Sequence, residues 1–551
     1  MGLEQERKEL GAREVVRFLK ESGFRHIFGL PGSSLVSLLQ ELADSPVKVV
    51  PTIHESVTIA AADGYTRVTG AGAAYIYMVP GTANALANLY NAWRDESPIL
   101  VLASQQAAWA RTREGTIGEG DLVPLVAPFC RHARELAPGM PVYHHLAAAS
   151  RAARGVPTGP AFVSLPEDVL EADGPVVSVP RTVRLPSGAP DISLLAEKLA
   201  KARRPLIVAG GQVRRHGGAD ALAALAERHQ IAVAAEPGFN DRLAISPGHP
   251  NFLGGMTGLY GSVAEAQADF VLVVGGRFIP EGHPRPNPYF PAAEFVAHVN
   301  ADHAKLEETR VAHWSCACDP SALLAALLQA VPDADDALMR QRRAFIDEAK
   351  AARLPPGNPF AETLASYGTA LGALHDALDH GWVVDEAVMG SVALLGALRS
   401  GDGGRYIGAT GGSLGWGTGA AVGAALGSGG PVTCVLGDGA LRFGLHGLWT
   451  AVAERLPITF VILDNGGYGS TRYFSRAYAE RAKPGGGRNA PSYAGMDFRE
   501  TGGSLADLIR GFGLPCTGPV APQDAREALE AAWRSAKEGP NAIIISLPFG
   551  D

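Results

Sequence analysis

The chain has 551 residues, of which 46% are hydrophobic and 19% are charged, and its formal net charge is −8. This length excludes a single hydrophobic core, and a typical domain size of roughly 150 residues predicts three or four domains. The apolar content excludes compositional disorder. The acidic balance and the lack of a dense Lys/Arg run argue against nucleic acid or a membrane surface, so we expect small-molecule partners.

The N-terminal residues carry charges at helical spacing, where a signal peptide needs an apolar region. No apolar run in the sequence approaches the ~20 residues that span a bilayer. The five cysteines are scattered, and Cys316 with Cys318 lacks the second pair that a zinc site requires. We therefore expect a cytoplasmic protein whose cysteines are thiols.

The first part of the chain alternates helical periodicity with short apolar runs, which is typical of parallel sheets covered by helices. The runs HIFGLPG, VKVVPTI, AAYIYMV and PILVLAS predict strands, and a helix is expected to begin at Glu55. The same rhythm continues to AFVSLPEDVLEAD. We predict a first domain over residues 1–175.

Two connections separate this domain from two more units of the same kind. A Pro/Ser/Gly-rich stretch predicts a linker from Pro175 to Pro190, and a second domain over 190–332 carries RPLIVAGG, IAVAAEPG, FVLVVGG and FVAHVN. After a charged helical segment, a third domain over 360–551 carries WVVDEA, RYIGAT, PVTCVLGDG, ITFVILDN and NAIIISLP. The expected fold class is α/β, with three doubly wound parallel-sheet domains, the central one Rossmann-like.

Polar residues follow two consecutive strands of the third domain. VTCVL runs into Gly437, Asp438 and Gly439, and ITFVIL ends at Asp464 and Asn465. Because strands of one βαβ unit end at the same sheet edge, Asp438 and Asn465 are expected to lie together, where open α/β sheets bind ligands. A carboxylate and an amide oxygen suit Mg²⁺, whose other positions go to water and phosphate oxygens. The pattern predicts a magnesium site for a phosphorylated cofactor; GDG alone is also compatible with a simple turn.

Glu55 is a second candidate, far away in the sequence, within VVPTIHESVTIAAADGYTRVTG. It follows an apolar strand and opens a helix of small residues, where a carboxylate can be half buried. The alternative is an ordinary acidic residue favoured by the helix dipole.

The full spacing, GDG and then an asparagine one helix and one strand later, resembles the signature of the thiamine diphosphate-dependent enzymes. The resemblance covers nearly the whole chain through GLPGSSLVSLL, GTANALANLYNAWRDESPILVLASQQ, GPAFVSLPEDV and DNGGYGSTRYF. Within that superfamily it is similar to benzoylformate decarboxylases and acetolactate synthase-like enzymes. It implies thiamine diphosphate and Mg²⁺ as cofactors, with pyrimidine-binding and diphosphate-binding domains flanking the central domain.

The resemblance also implies roles for individual residues. Asp438, Asn465 and the main-chain carbonyl of Gly467 are the implied metal ligands, and Glu55 is the general acid/base that protonates the aminopyrimidine ring. The carbonyl of Gly412 is implied to accept a hydrogen bond from the 4'-amino group, and Leu414 to support the bent cofactor, although core packing is the alternative for Leu414. The full predicted cofactor-binding set is Glu55, Gly412, Leu414, Asp438, Gly439, Ala440, Asn465, Gly467 and Tyr468.

The substrate end is where the sequence departs from the benzoylformate decarboxylases. Ser33 matches a serine that contacts the substrate carboxylate there, with a turn residue as the alternative. Tyr77 stands where the first of two catalytic histidines is expected, and a one-residue shift would place His283 at the second; a solvated loop histidine is the alternative. Thr471 and Phe474 are the remaining predicted pocket residues.

Three further segments bear on function. VVDEAVMGSVAL has Val388 and Met389 where relatives carry two phosphate-binding hydroxyl residues, so backbone amides or Ser391 are expected to substitute. The Gly- and Pro-rich segment 475–498 predicts a loop over the active site. VLVVGG in the central domain lacks GxGxxG, so a flavoprotein is not expected.

The leading functional hypothesis is a thiamine diphosphate-dependent lyase or carboligase that decarboxylates a 2-oxo acid, with or without capture of the product by an acceptor. One alternative is C–C cleavage or ligation without decarboxylation, and another is a non-catalytic regulatory paralogue. A nicotinamide-dependent oxidoreductase lacks its glycine fingerprint. Glu55 and Asp438 lie in different domains, which relatives bring together from two subunits. We therefore expect a homodimer at minimum and a homotetramer as the full assembly.

Overall fold

The described residues of the chain, in a computed structural model, form three six-stranded parallel sheets that are covered by helices. This confirms the predicted fold class. Within the described part, no helix combines the length and the apolar character that a bilayer crossing requires. All five cysteines are free. The described residues are 8–111, 120–175, 190–236, 241–256, 262–277, 289–307, 312–351, 361–481, 491–498 and 503–547.

The N-terminal sheet has the strand order β3-β2-β4-β5-β7-β6. Its strands are β2 (His26–Gly29), β3 (Lys48–Pro51), β4 (Gly72–Tyr77), β5 (Ile99–Gln105), β6 (His132–Glu135) and β7 (Ala161–Pro166). A short antiparallel pair joins β1 (Lys8–Leu10) to β8 (Asp173–Pro175). The helices are α1 (Gly11–Glu21), α2 (Val36–Ala43), α3 (Glu55–Thr69), α4 (Met78–Arg94), α5 (Leu122–Val126), α6 (Val142–Arg154) and α7 (Glu167–Glu171).

The central sheet has the order β11-β10-β9-β12-β13-β14. Its strands are β9 (Pro205–Ala209), β10 (Ala232–Ala235), β11 (Phe252–Gly255), β12 (Phe270–Val274), β13 (Phe295–Asn300) and β14 (Trp314–Ala317). Its helices are α8 (Ser193–Lys201), α9 (Gly211–Arg215), α10 (Ala219–His229), α11 (Val263–Gln267), α12 (Pro320–Ala330) and the charged α13 (Asp336–Ala351). Most of the linker expected before this domain, residues 176–189, lies outside the described residues.

The C-terminal sheet has the order β16-β15-β17-β18-β20-β19. Its strands are β15 (Trp382–Glu386), β16 (Tyr406–Gly408), β17 (Val432–Gly437), β18 (Ile458–Asp464), β19 (Cys516–Val520) and β20 (Asn541–Ser546). Its helices are α14 (Ala361–Gly372), α15 (Ala377–His380), α16 (Met389–Ala397), α17 (Trp416–Ser428), α18 (Asp438–Gly444), α19 (His446–Ala453), α20 (Gly469–Arg481), α21 (Leu505–Gly511) and α22 (Ala525–Ser535).

The outer two domains meet where α3 packs along α17. Glycines let the two backbones touch: a Cβ on Gly64 would lie 2.2 Å from the carbonyl oxygen of Ala420, and one on Gly423 would lie 1.9 Å from that of Ala61. Real Cβ atoms do not approach backbone atoms this closely. The small residues of both helices are therefore required by the contact.

A buried ion cluster fixes the same junction. The Arg67 guanidinium donates to Asp63 at 2.9 and 2.8 Å, to Asp95 at 2.6 Å and to the Gly408 carbonyl at 2.5 Å. The Trp416 indole donates to Asp63 at 2.7 Å. Burial alone would lower the pKa of Arg67, but Asp63 and Asp95 outweigh it and raise that pKa. Arg67 therefore stays charged and holds elements of both domains.

The central domain is attached beside this cluster. The Arg215 guanidinium pairs with Glu96 at 3.1 Å, and Arg242 donates to the Arg67 carbonyl at 2.7 Å. Arg277 donates to the carbonyl of Arg94 at 2.8 Å. All three domains thus share one polar junction.

One predicted segment differs from the structure. The loop expected at 475–498 begins as a helix, because α20 continues to Arg481. Its middle, 482–490, lies outside the described residues. Its last part, 491–498, packs on the turn after β18, where Tyr468 N–H donates to the Met496 carbonyl at 3.0 Å.

We predict that Gly423→Ala destabilises the protein by about 3 kcal/mol, near the upper part of the usual range for overpacking, because its Cβ would collide with the α3 backbone. Thermal unfolding measures the effect. Gly396→Ala in α16 is the matched control, since nothing lies within 4 Å of a Cβ there. A Gly423→Ala protein as stable as the control would contradict the prediction.

Candidate active site

The predicted metal ligands lie at the ends of neighbouring strands. β17 and β18 pair in parallel, with Gly437 opposite Leu463, so Asp438 and Asn465 follow at the same sheet edge. α18 begins at Asp438 itself, with Gly437 as its N-cap. The first turn of α18 therefore directs free N–H groups toward this edge.

Asp438 is a buried carboxylate with an unmatched oxygen. Its side chain is 2% exposed, and Oδ2 has no hydrogen-bond partner among the described residues. Burial, followed by the nearby charge of Asp464, raises the pKa of Asp438 to about 7. An oxygen in this state is costly unless a cation or a proton satisfies it. The residues present therefore fit a bound cation.

Two hydrogen bonds bear on the orientation of the Asn465 side chain. Its Nδ2 donates to the Tyr367 hydroxyl at 3.0 Å, and its Oδ1 accepts from the Gly467 N–H at 3.2 Å. Gly467 has no room for a side chain, since a Cβ would lie 2.1 Å from the Met496 carbonyl oxygen. Tyr367 was missed in the sequence because it lies 98 residues before Asn465 and belongs to no motif.

A cleft of about 150 Å³ lies in the same domain. Val388 has φ +55, a backbone angle that is an outlier for a β-branched residue, and such outliers cluster at ligand sites. Ser391 donates its hydroxyl to Asp385 at 2.8 Å, so this hydroxyl is already engaged. The cleft is lined by Asp385, Glu386, Val388, Ser391, Tyr406, Ala409, Gly412, Ser413, Leu414 and Ser470.

Gly412 and Leu414 lie on the loop that enters α17 and line this cleft. Gly412 adopts φ +79, which favours glycine. Asn91 of α4 holds the loop: its Nδ2 donates to the Ser413 carbonyl at 2.8 Å and its Oδ1 accepts from Ser413 N–H at 3.2 Å. The carboxylate of Glu386 accepts from the first N–H groups of α17, and burial raises its pKa to about 8.

Glu55 is the first residue of α3 and is 8% exposed. The helix is capped by His54, whose Nδ1 accepts from Ser56 N–H at 3.2 Å. Asn84 donates to Glu55 Oε2 at 3.1 Å, and Gly81 leaves room for Oε1, which a Cβ would approach to 2.8 Å. α4 therefore orients the Glu55 carboxylate, whose Oε2 accepts the hydrogen bond from Asn84.

Three asparagines of α4 connect these groups. Asn84, Asn88 and Asn91 recur at helical spacing; Asn88 donates to the Ser56 carbonyl at 3.0 Å and accepts from Asn91 at 2.8 Å. The N-x₃-N-x₂-N spacing is visible in the sequence. The sequence does not show which groups these side chains contact, so it does not single them out.

The predicted substrate residues are placed unequally. Ser33 Oγ and Tyr77 Oη lie 3.1 Å apart in the N-terminal domain. Thr471 and Phe474 lie on α20, and Phe474 is 40% exposed. His283 lies outside the described residues.

The remaining predicted cofactor residues surround the metal edge. Gly439 and Ala440 are buried in the first turn of α18. The Tyr468 ring meets Phe498 edge to face, with centroids 4.7 Å apart. The fold and this edge together are those of a cofactor-dependent α/β enzyme.

Comparison with known proteins identifies the family. The thiamine pyrophosphate enzyme models match in order: the N-terminal TPP binding domain at residues 10–125, the central domain at 192–327 and the C-terminal TPP binding domain at 390–545. The chain belongs to the thiamine pyrophosphate (thiamine diphosphate) enzyme family.

Individual relatives match most of the chain at modest identity. Benzoylformate decarboxylase of Pseudomonas aeruginosa is 26% identical, covering 96% of this chain and 97% of its own. The acetolactate synthase isozyme 2 large subunit of Escherichia coli is 28% identical, with coverages of 85% and 86%. The solved thiamine diphosphate-dependent 4-hydroxybenzoylformate decarboxylase of Rhodococcus jostii RHA1 has a TM-score of 0.81 at 25% identity, with coverages of 98% and 100%.

We predict that Asp438→Asn raises the melting temperature of the cation-free protein near pH 8. The pKa of about 7 in the folded state lies above the unfolded value, so the charged carboxylate destabilises this form above about pH 7. The advantage of the variant declines as the pH falls from about 7 to about 4, where the carboxyl is neutral in both states. Thermal melts across this range measure it.

The exposed Asp507→Asn provides the control, whose melting temperature we expect to follow the wild type at every pH. An Asp438→Asn protein that melts below the wild type at about pH 8 contradicts the interpretation that the charged Asp438 carboxylate destabilises the cation-free protein.

Proposed function

We propose that this protein is a thiamine diphosphate- and Mg²⁺-dependent lyase or carboligase that acts on a 2-oxo acid. The observation that carries the proposal is the unmatched Asp438 Oδ2, buried beside Asn465 at the edge where two parallel strands end. A buried carboxylate with this deficit suits a divalent cation that also binds phosphate oxygens. Relatives of this chain are named as decarboxylases and as an acetolactate synthase, which supports this reaction class.

In this proposal Asp438, Asn465 and the Gly467 carbonyl hold the magnesium ion. Bound thiamine diphosphate supplies a nucleophilic carbon and an electron sink beside the substrate carbonyl. The loop at Gly412 and Leu414 supports the cofactor, and Asn91 keeps that loop in place.

Glu55 is proposed to hold and move a proton at the aminopyrimidine ring. Asn84 occupies Oε2, so the carboxylate cannot turn freely, and Gly81 leaves Oε1 its space. Fixing a general acid/base in this way keeps the proton at one place in the site.

Ser33 and Tyr77 are proposed to bind the substrate carboxylate. Their hydroxyl oxygens lie 3.1 Å apart, so one hydroxyl donates to the other and one proton remains for the substrate. Hydroxyl groups donate hydrogen bonds to a carboxylate, so this pair is better suited to binding than to proton transfer.

A homodimer is the proposed minimum assembly, and a homotetramer the proposed full one. Exposed apolar side chains near Glu55 and on the α18–α19 segment support it: Ile53 is 42%, Phe443 56% and Trp449 36% exposed. Such side chains favour burial against a second subunit. We also propose a cytoplasmic location, with which five free cysteines agree.

We expect Glu55→Gln to lower kcat by a factor of about 10² to 10⁴, because the amide cannot transfer the proton. CO₂ release from a panel of 2-oxo acids, with thiamine diphosphate and Mg²⁺ present, measures the loss. Glu167→Gln is the matched control, since Glu167 also opens a helix but has no role in the proposed mechanism. Unchanged turnover in Glu55→Gln would contradict the proposed role of Glu55 as the general acid/base.

A second candidate is C–C cleavage or ligation without decarboxylation. It is favoured by the phenol of Tyr77, hydrogen-bonded to Ser33, at the position where the resemblance leads one to expect a histidine. Product analysis separates the two candidates, because only the first releases CO₂.

We expect Tyr77→Phe to raise KM for a 2-oxo acid by about tenfold with a smaller effect on kcat, as the loss of one hydrogen bond to a charged group predicts. A lower kcat at unchanged KM would instead indicate proton transfer by Tyr77.

A further inference from the structure

Tyr367 of α14 brings a hydroxyl group to the metal edge. Asn465 Nδ2 donates to this hydroxyl at 3.0 Å. The Tyr367 side chain is 8% exposed, and its ring fits against Gly390, where a Cβ would lie 3.1 Å from Cδ1. Burial raises the pKa of Tyr367, so its hydroxyl is neutral at physiological pH. Phenylalanine would fill the same volume, which leaves the hydroxyl to be explained.

The amide of Asn465 has two different ends, and only one of them can bind a cation. Oδ1 has lone pairs for a metal, whereas Nδ2 carries two hydrogens and would repel it. A half turn about the last side-chain bond exchanges the ends at little cost in shape. Some contact must therefore decide which end faces the metal.

The Gly467 N–H makes this choice because it can only donate, and the Tyr367 hydroxyl then accepts from Nδ2 and holds the chosen orientation. Gly469 lies against the Asn465 amide and leaves room for it, since a Cβ on Gly469 would lie 2.6 Å from Nδ2. The Gly467 N–H then meets Oδ1 at 3.2 Å. After a half turn, the Gly467 N–H would face an NH₂ group instead, so the observed orientation is the one in which both contacts form together.

We propose that Tyr367 is a positioning residue that holds the Asn465 amide through Nδ2, so that Oδ1 stays directed at the cation. The inference rests on the proposed function and deepens it, because it assigns to α14 a part in the metal site. Partners that orient a metal ligand typically change metal affinity by about 10- to 100-fold when they are removed.

Tyr367→Phe tests the proposal in the full chain. Calorimetric titration of Mg²⁺ in saturating thiamine diphosphate is expected to give an affinity about tenfold weaker than in the wild type. Tyr143→Phe is the control: Tyr143 is also buried and donates to Glu21 at 2.8 Å, but it lies in the N-terminal domain. Its Mg²⁺ affinity is expected to match the wild type, and a melt of each cation-free variant checks the fold.

A second background separates orientation from general packing. Asn465→Asp has two equivalent oxygens, so no orientation remains to be chosen. Adding Tyr367→Phe to Asn465→Asp is therefore expected to cause no further loss of Mg²⁺ affinity. An equal loss in both backgrounds, or unchanged affinity in Tyr367→Phe alone, overturns the role of Tyr367. A wild-type protein that binds no Mg²⁺ with thiamine diphosphate overturns the proposed function, and this inference with it.

Discussion

The buried contact between Arg67 and the carboxylates of Asp63 and Asp95 is the interaction on which the rest of the structure depends. Three charges without solvent are costly, and they persist because each finds several partners. Arg67 also binds the Gly408 carbonyl, and Asp63 accepts from the Trp416 indole. The cluster thereby fixes β16 and the start of α17 against α3, so two domains behave as one packed unit.

This junction accounts for two residues that could be mistaken for catalytic residues. Asp63 and Gly64 belong to the same motif as Glu55, but neither is placed at the cofactor in the proposed mechanism. Asp63 binds Arg67, and Gly64 allows the backbone of α17 to approach. The motif therefore combines one proposed catalytic carboxylate with the contact that holds its helix in position.

The two ends of the candidate site are built by different means. The metal edge uses strand ends and backbone, with Asp438 carrying a charge that the fold leaves unmatched and Asn465 fixed by Tyr367. The N-terminal end uses side chains alone, in which Asn84 orients Glu55 and Ser33 meets Tyr77. The residues proposed to bind the metal and those proposed to bind substrate are therefore held by separate contacts.

The sequence by itself determined the three α/β domains, the strand edge with Asp438 and Asn465, and the helix that begins at Glu55, because hydrophobic periodicity and βαβ topology are local and directional. Only the tertiary structure decided that Tyr367 meets Asn465, that Ser391 is already engaged by Asp385, and that segment 475–498 begins as a helix. Contacts such as the one between Tyr367 and Asn465 join residues far apart in sequence, and only packing brings them within hydrogen-bond reach. The spacing of residues along the chain does not predict such contacts.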